Sequence, residues 1–209
     1  MDLIIVRHAR PVASQDSADP PLSDLGLQQA TLVGERLRVE PITHIVASTM
    51  QRAIQTAEPL AGHLGHAIET RDDLREAGEH HGTYKPTEEM LPDDPEALAW
   101  VNDPMSMFPD GYDKFQERVV GGFDDIVANN RGGTVAVFCH GMVMASYLDA
   151  LWDLSSPLDM LIDYTGLFRV RASSTGRRSV RSINETGHVA HLLSAFGSEA
   201  ASPSSNPRS

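Results

Sequence analysis

The residues of this 209-residue chain that can do chemistry sit where short apolar runs stop. Leu-Ile-Ile-Val at 3–6 runs into Arg7 and His8, and Thr-Val-Ala-Val-Phe at 134–138 runs into Cys139, His140 and Gly141. Short apolar runs that end in polar clusters read as buried strands. In open α/β sheets ligands bind beyond the carboxyl ends of strands, so two such strands can bring both imidazoles to one crevice. The helix expected after His140 would point free backbone N–H groups at the same place, which suits an anion. Arg52 lies in Ala47-Ser-Thr-Met-Gln-Arg-Ala-Ile-Gln-Thr-Ala57, just past a further short strand at 44–47 and in the first turn of the next helix. A cation is mildly unfavourable at that end of a helix dipole, and a bound anion would remove the conflict. Singly, each histidine reads more readily as structural and Arg52 as a solvated surface arginine, and it is their combination with Arg7 that points to a site.

The elements that must position these groups follow from spacing. Ser23 is a candidate N-cap for a helix with Leu27, Ala30, Val33 and Leu37 at helical spacing. A second helix is expected over 49–64, with Ile54, Ala57, Leu60 and Leu64 on one face and Gly65 at its end. A weak strand is expected near 67–70, a helix over about 113–129 with Phe115, Val119, Phe123 and Ile126 inward, and another over 141–152. Phe168, Val170 and Ala172 alternate with Arg169 and Arg171, and after a turn at 173–177 the run 179–183 returns as a hairpin partner. Residues 78–112 lack clean periodicity and hold Pro86, Pro92, Pro95, Pro104 and Pro109, which predicts an inserted lid over a pocket. Residues 193–209, rich in Ser, Pro and Ala, are expected to be a disordered tail, leaving 1–192 as one domain. Strands alternating with helices predict an α/β layered fold with an antiparallel hairpin at one edge.

Bulk composition narrows the function classes. With 41% hydrophobic and 22% charged residues the chain has the make-up of a soluble globular protein. No apolar run approaches the roughly 18 residues of a membrane span, and no signal peptide is visible at the N-terminus, so a cytoplasmic location and no membrane partner are expected. A formal charge of -12 argues against nucleic-acid binding, which needs basic surface, but leaves room for a locally positive pocket. Cys139 is the single cysteine, which excludes an intrachain disulfide and a cysteine zinc cage.

Six segments together resemble the histidine phosphatase superfamily, with its phosphoglycerate mutase-like fold. They are Arg7-His8-Ala9-Arg10-Pro11; Pro21-Leu22-Ser23-Asp24-Leu25-Gly26 with Gln29-Ala30; Ser48 through Arg52-Ala53 to Gln55-Thr56-Ala57; Leu74-Arg75-Glu76; Cys139-His140-Gly141; and Asn184-Glu185-Thr186-Gly187-His188-Val189. Each is weak alone, and their order and spacing over about residues 3–190 carry the resemblance. It implies a three-layer sandwich with a mostly parallel central sheet, helices on both faces, an antiparallel edge hairpin and an inserted lid. It also implies that His8 is a nucleophile that becomes phosphorylated. Arg7, Arg52 and His140 would hold the phosphoryl oxygens, and Glu76 would protonate the leaving oxygen. Gly141 and Ser14 are further candidates for phosphate contacts. No cofactor and no metal are expected.

These residue types suit that chemistry. A phosphate monoester is a dianion that resists anionic nucleophiles, so a neutral imidazole nitrogen is apt. Guanidinium forks grip non-bridging oxygens and stay charged at working pH, so arginines can replace a metal. An alkoxide is a poor leaving group, so a positioned acid matters, and Glu76 should carry a raised pKa. Some positions depart from the family. Ala9 and Arg10 follow the nucleophile where Gly and Glu are frequent, and Arg10 belongs either to the pocket rim or to the surface. Pro11 and Ser14 replace a serine and an asparagine of the mutase branch, which weakens a mutase reading. His80 and His81 either touch substrate or are loop histidines. His188 is expected to be structural, and Cys139 to pack as a small apolar residue. Met105, Met107 and Phe108 either line the lid or simply pack.

The expected function is a metal-independent phosphomonoesterase acting on a small organic phosphate or a phosphoprotein. The alternatives are a phosphoglycerate-type mutase and, in a different class, a non-catalytic phosphate-binding or regulatory module.

Overall fold

The computed structural model describes residues 1–78, 82, 84, 98, 102–155, 160–173 and 175–192. His80 and His81, most of the predicted lid and the whole predicted tail lie outside them. Six strands form one sheet: β1 (Asp2–Arg7), β2 (His44–Ser48), β3 (Ile68–Arg71), β4 (Thr134–Cys139), β5 (Leu167–Ala172) and β6 (Arg178–Glu185). Their order across the sheet is β3-β2-β4-β1-β5-β6. The first four are parallel, while β5 runs antiparallel to β1 and pairs with β6 as the edge hairpin.

Among the described residues, α-helices cover both faces. On one side α1 (Asp24–Leu37) and α2 (Gln51–Leu64) pack against Ile4, Val6, Ile45, Ala136 and Phe138. On the other, α3 (Tyr112–Asn129) and α4 (Gly141–Trp152) pack against Leu3, Ile5, Val46, Val135 and Val137. Successive strand residues thus feed alternate cores, which is why β1 and β4 read as unbroken apolar runs. Fully burying each Val, Leu or Ile contributes about 1.5–3 kcal/mol. Leu27, although at helical spacing with Ala30 and Leu37, is half exposed. The buried stripe of α1 runs through Gly26, Ala30, Val33, Gly34 and Leu37 instead.

This topology makes a crevice. β1 and β4 are neighbours, in register from Asp2 and Thr134 to Arg7 and Cys139. The helix after β1 packs on one face of the sheet and the helix after β4 on the other. The chains therefore diverge beyond the carboxyl ends of these two strands, the place where open α/β sheets bind ligands. Among the described residues, no helix is long and apolar enough to cross a membrane.

Candidate active site

His8 and His140 are the residues next in line after the last paired positions of β1 and β4. The backbone N–H of His8 still donates to the Cys139 carbonyl at 2.8 Å, and the two imidazole centroids lie 5.1 Å apart. Both rings are buried. His8 Nδ1 is 2.8 Å from the Ala9 carbonyl, a pure acceptor, so Nδ1 carries the proton and Nε2 keeps its lone pair. Arg52 Nε donates toward that Nε2 at 3.2 Å.

Arg52 is the second residue of α2 and is 1% exposed. A guanidinium so deeply buried needs partners. Besides His8 it has the Ala18 carbonyl at 3.2 Å and the Asp19 carboxylate at 3.3 Å through Nη1, and its Cζ lies 4.9 Å from the centre of the Tyr84 ring. Asp19 also accepts from the Gln51 N–H at 2.9 Å, fixing the start of α2. Arg7, at the last position of β1, donates through Nη1 to the Ile162 carbonyl. His140 Nε2 meets Ser48 Oγ at 2.9 Å, whereas its buried Nδ1 has no hydrogen-bond partner among the described residues.

Glu76 reaches the same crevice from the loop after β3. Its Oε2 accepts from the Met142 N–H, in the first turn of α4, at 3.2 Å, and its Oε1 from its neighbour Ala77 at 3.0 Å. A Cβ built on Gly141 would lie 3.7 Å from Arg7 Nε and 4.0 Å from Glu76 Oε2, so the arginine, the acid and the start of α4 converge. Arg7, His8, Arg52, Glu76, His140 and Gly141 are thus brought together. Ser14 is not joined to them: its hydroxyl accepts from the Asp16 N–H at 3.3 Å, and its backbone pairs in both directions with Tyr84 at 2.8 Å.

Electrostatics follow from burial and from this crowd of cations. Desolvation, then Arg52 and Arg7, hold His8 well below the ordinary histidine range. Desolvation, Arg52 and His8 do the same to His140. Both imidazoles are neutral near pH 7. Glu76 keeps part of its side chain accessible, yet desolvation of its carboxyl raises its pKa against the opposing pull of two backbone N–H groups, Arg52 and Arg7. Burial also raises the Cys139 thiol, consistent with an inert packing residue.

The loop behind His8 is pinned by residues that carry no chemistry. The Ala9 N–H donates to Thr56 Oγ1 at 2.9 Å, and that hydroxyl donates to the Arg52 carbonyl. The Arg10 N–H donates to Gln29, and its carbonyl accepts from both the backbone and the hydroxyl of Ser23. Ser23 also caps α1 through the Gly26 N–H. A Cβ on Gly26 would fall 2.0 Å from the Arg10 carbonyl oxygen, so only glycine permits this approach. Thr56 and Gln29 belong to the segments that resemble the family, but only the fold shows that they act by holding the loop. Ser48 stands in a segment that resembles the family, but nothing in the spacing marks it as the partner of His140, and Asp19, a single aspartate in a loop, is too common to stand out as the partner of Arg52.

Beyond Glu76 lies a cavity of about 270 Å³. Its walls include Arg75, Lys114 and Arg118, the acids Asp72 and Asp110, and Met107 and Phe108. Met107 and Phe108 are buried against it, and Met105 is half exposed elsewhere.

A strand-end crevice on a three-layer α/β scaffold thus gathers two imidazoles held neutral, the buried Arg52, the partly buried Arg7 and a carboxyl of raised pKa. The chain belongs to the histidine phosphatase superfamily (branch 1), whose profile matches residues 3–186. It is 27% identical over 163 residues to a probable phosphoglycerate mutase, GpmB, of Yersinia pestis, covering 74% of this chain and 76% of that one. Among solved structures it resembles YhfR of Bacillus stearothermophilus, with 25% identity, a TM-score of 0.74 and coverage of 90% of this chain and 98% of that one. It shares its fold with a phosphoserine phosphatase mutant of Entamoeba histolytica solved with phosphoserine, at 18% identity and a TM-score of 0.73, covering 90% and 98%.

Proposed function

We propose that this protein is a metal-independent phosphomonoesterase that hydrolyses a small organic phosphate through a phosphohistidine on His8. The observation that carries the reading is the state of His8: Nδ1 is committed to a backbone carbonyl, and Nε2 is neutral, desolvated and flanked by Arg52. In the first step Nε2 attacks phosphorus, an N–P bond forms, and the bond to the leaving oxygen breaks. Glu76, protonated because its pKa is raised, gives its proton to that oxygen. Arg7 and Arg52 take the non-bridging oxygens, and His140 Nδ1, without a partner among the described residues, takes a phosphoryl oxygen. In the second step water attacks phosphorus, Glu76 takes the water proton, the N–P bond breaks, and inorganic phosphate leaves. The cavity next to Glu76, with apolar walls and side chains of both charges, suits a small leaving group better than a folded protein surface.

The curated relative named as a mutase supports a second reading, in which the phosphoryl group returns to another hydroxyl of the substrate. Product analysis separates the two. With 3-phosphoglycerate and other phosphorylated metabolites, a phosphatase releases inorganic phosphate, whereas a mutase yields an isomer with no net release. Quenching with 32P-labelled substrate should trap an acid-labile, base-stable label on the wild type and none on His8→Ala. That variant should lose at least about 10³-fold in turnover of p-nitrophenyl phosphate. Full activity in His8→Ala, or label on another residue, would overturn the mechanism.

A further inference from the structure

We propose that Tyr164 is a positioning residue of this site, its ring holding the Arg7 guanidinium in place and flanking the His8 imidazole. The proposal rests on the phosphomonoesterase reading for the roles of Arg7 and His8. The Cζ of Arg7 lies 4.0 Å from the centre of the Tyr164 ring, and the His8 ring lies 5.7 Å from it at 50°. Tyr164 is 5% exposed. The core tyrosine Tyr147 stacks on Phe123, whereas the Tyr164 ring faces a cation and an imidazole.

The loop that carries Tyr164 is fixed residue by residue. Ile162 accepts from Arg7. The Asp163 N–H donates to Asn184 Oδ1 at 3.0 Å, and Asn184 Nδ2 donates back to the Asp163 carboxylate at 2.8 Å. The Thr165 N–H reaches the carbonyls of both Arg7 and His8, at 3.1 and 3.4 Å. Thr165 has a φ of 58°, a left-handed conformation that a β-branched residue keeps only when its neighbours over-determine it. His188 Nε2, 3.1 Å from Thr165 Oγ1, is one of those neighbours. Asn184 and His188 therefore act at the site indirectly, by fixing the residues on either side of Tyr164.

An arginine side chain must be ordered before it can clamp an oxyanion, and a fixed aromatic face adds to that ordering of Arg7 before substrate arrives. The ring also keeps water from one side of His8. Among the described residues, the charged and titratable groups facing His8 are Arg7 on β1, Arg52 on α2 and His140 at the start of α4, with Tyr164 on the fourth side. Removing the ring admits water and loosens Arg7. Hydrating His8 stabilises its imidazolium, and moving Arg7 away reduces repulsion, so both changes make His8 easier to protonate.

The test compares Tyr164→Leu, Tyr164→Met and Tyr164→Phe in the full chain. Readouts are p-nitrophenyl phosphate kinetics against pH, inhibition by vanadate, and direct vanadate binding by calorimetry. Tyr164→Leu should lose about tenfold in kcat/KM and in vanadate affinity. Its acid limb of kcat/KM should move to higher pH, while Tyr164→Phe stays near wild type in all three. If the leucine variant fails to fold by circular dichroism, the methionine variant, closer in volume but without a ring face, carries the same expectation. A folded ring-less variant with wild-type vanadate affinity and an unmoved acid limb would overturn the proposal. So would Tyr164→Phe falling as far as Tyr164→Leu, since that puts the effect in the hydroxyl. Wild-type protein without phosphatase turnover would defeat the functional reading, yet calorimetric vanadate binding would still decide whether Tyr164 places Arg7.

Discussion

The two sides of the pocket are built by different means. His8, Arg52 and His140 are delivered by the ends of β1, β2 and β4, strands locked in parallel register. The side around Glu76 is delivered by a 3₁₀ turn, Asp72–Leu74, and the loop after it. That loop is held from outside the sheet, by Arg118 of α3 donating to the carbonyls of Asp72, Asp73 and Arg75 at 3.2, 2.9 and 3.0 Å. The sheet fixes where the phosphoryl charge must sit, while a helix and its side chains decide where the acid and the leaving group sit. Damage to the first side should be felt by every substrate, and damage to the second should depend on the substrate.

Arg52→Ala is the largest test of this contrast after loss of the nucleophile itself. It removes a buried, pre-oriented donor and should cost about 10²–10³-fold in kcat on aryl and alkyl phosphates alike. Arg52→Lys should not restore it, since a point charge lacks the fork that spans two oxygens. A loss that varies strongly with the leaving group would break the proposed division.

Glu76→Gln comes next and should show that variation. On an alkyl phosphate, whose leaving oxygen needs a proton, the loss should reach about 10²–10⁴-fold. On p-nitrophenyl phosphate, whose phenolate leaves readily, it should be much smaller. The pH profile sharpens the point. Glu76 works as a protonated acid, and its raised pKa keeps it protonated to higher pH than an ordinary carboxyl. Wild-type activity on the alkyl ester should fall on the alkaline side as Glu76 loses its proton, and that limb should vanish in Glu76→Gln. A persisting limb would give the proton to another group.

Farther out, Lys114→Ala should change little for p-nitrophenyl phosphate. It should raise KM about two- to fivefold for esters whose leaving group carries a second anionic charge, as expected of an exposed cation on the cavity wall. Equal effects on both kinds of ester would mean that the cavity does not receive the leaving group.

The same division explains what could be read from the sequence. A strand buried on both faces must be continuously apolar, so Leu3–Val6 and Val135–Phe138 announce β1 and β4, and with them the positions of His8 and His140. Ser23 is legible because helix capping leaves few choices of residue, while the reason for Gly26, its close approach to the Arg10 carbonyl, shows only in the fold. Tyr164 was not, because it meets Arg7 across more than 150 residues of chain with no spacing rule to mark it. Leu27 misled for a related reason. Helical spacing shows that a stripe exists but not where it is centred, and here it is centred on Ala30 and Gly34, where α1 lies against Pro59 of α2. Ser14 was singled out by its distance from the nucleophile, while its actual partners, Asp16 and Tyr84, follow from how the loop turns.

The smallest expected effect lies in the strut behind the first side and is read in stability rather than rate. His188 is partly buried against Thr165, and desolvation lowers its pKa to about 4. An unfolded chain leaves it near 6.5, so between those values the unfolded state binds the proton and the folded state does not. The contribution of His188 to stability is therefore intact above about pH 6.5, shrinks as the pH falls towards 4, and changes no further below that. His188→Gln keeps an N–H for Thr165 Oγ1 but has no proton to gain. Its melting temperature should fall less than that of the wild type between pH 7 and 4.5, by a few degrees, because His188 retains some contact with solvent. His8 and His140 are depressed in the same direction, so an acid-sensitive component should remain in the variant. Identical pH dependence in the two proteins would mean that His188 titrates normally and does not brace Thr165.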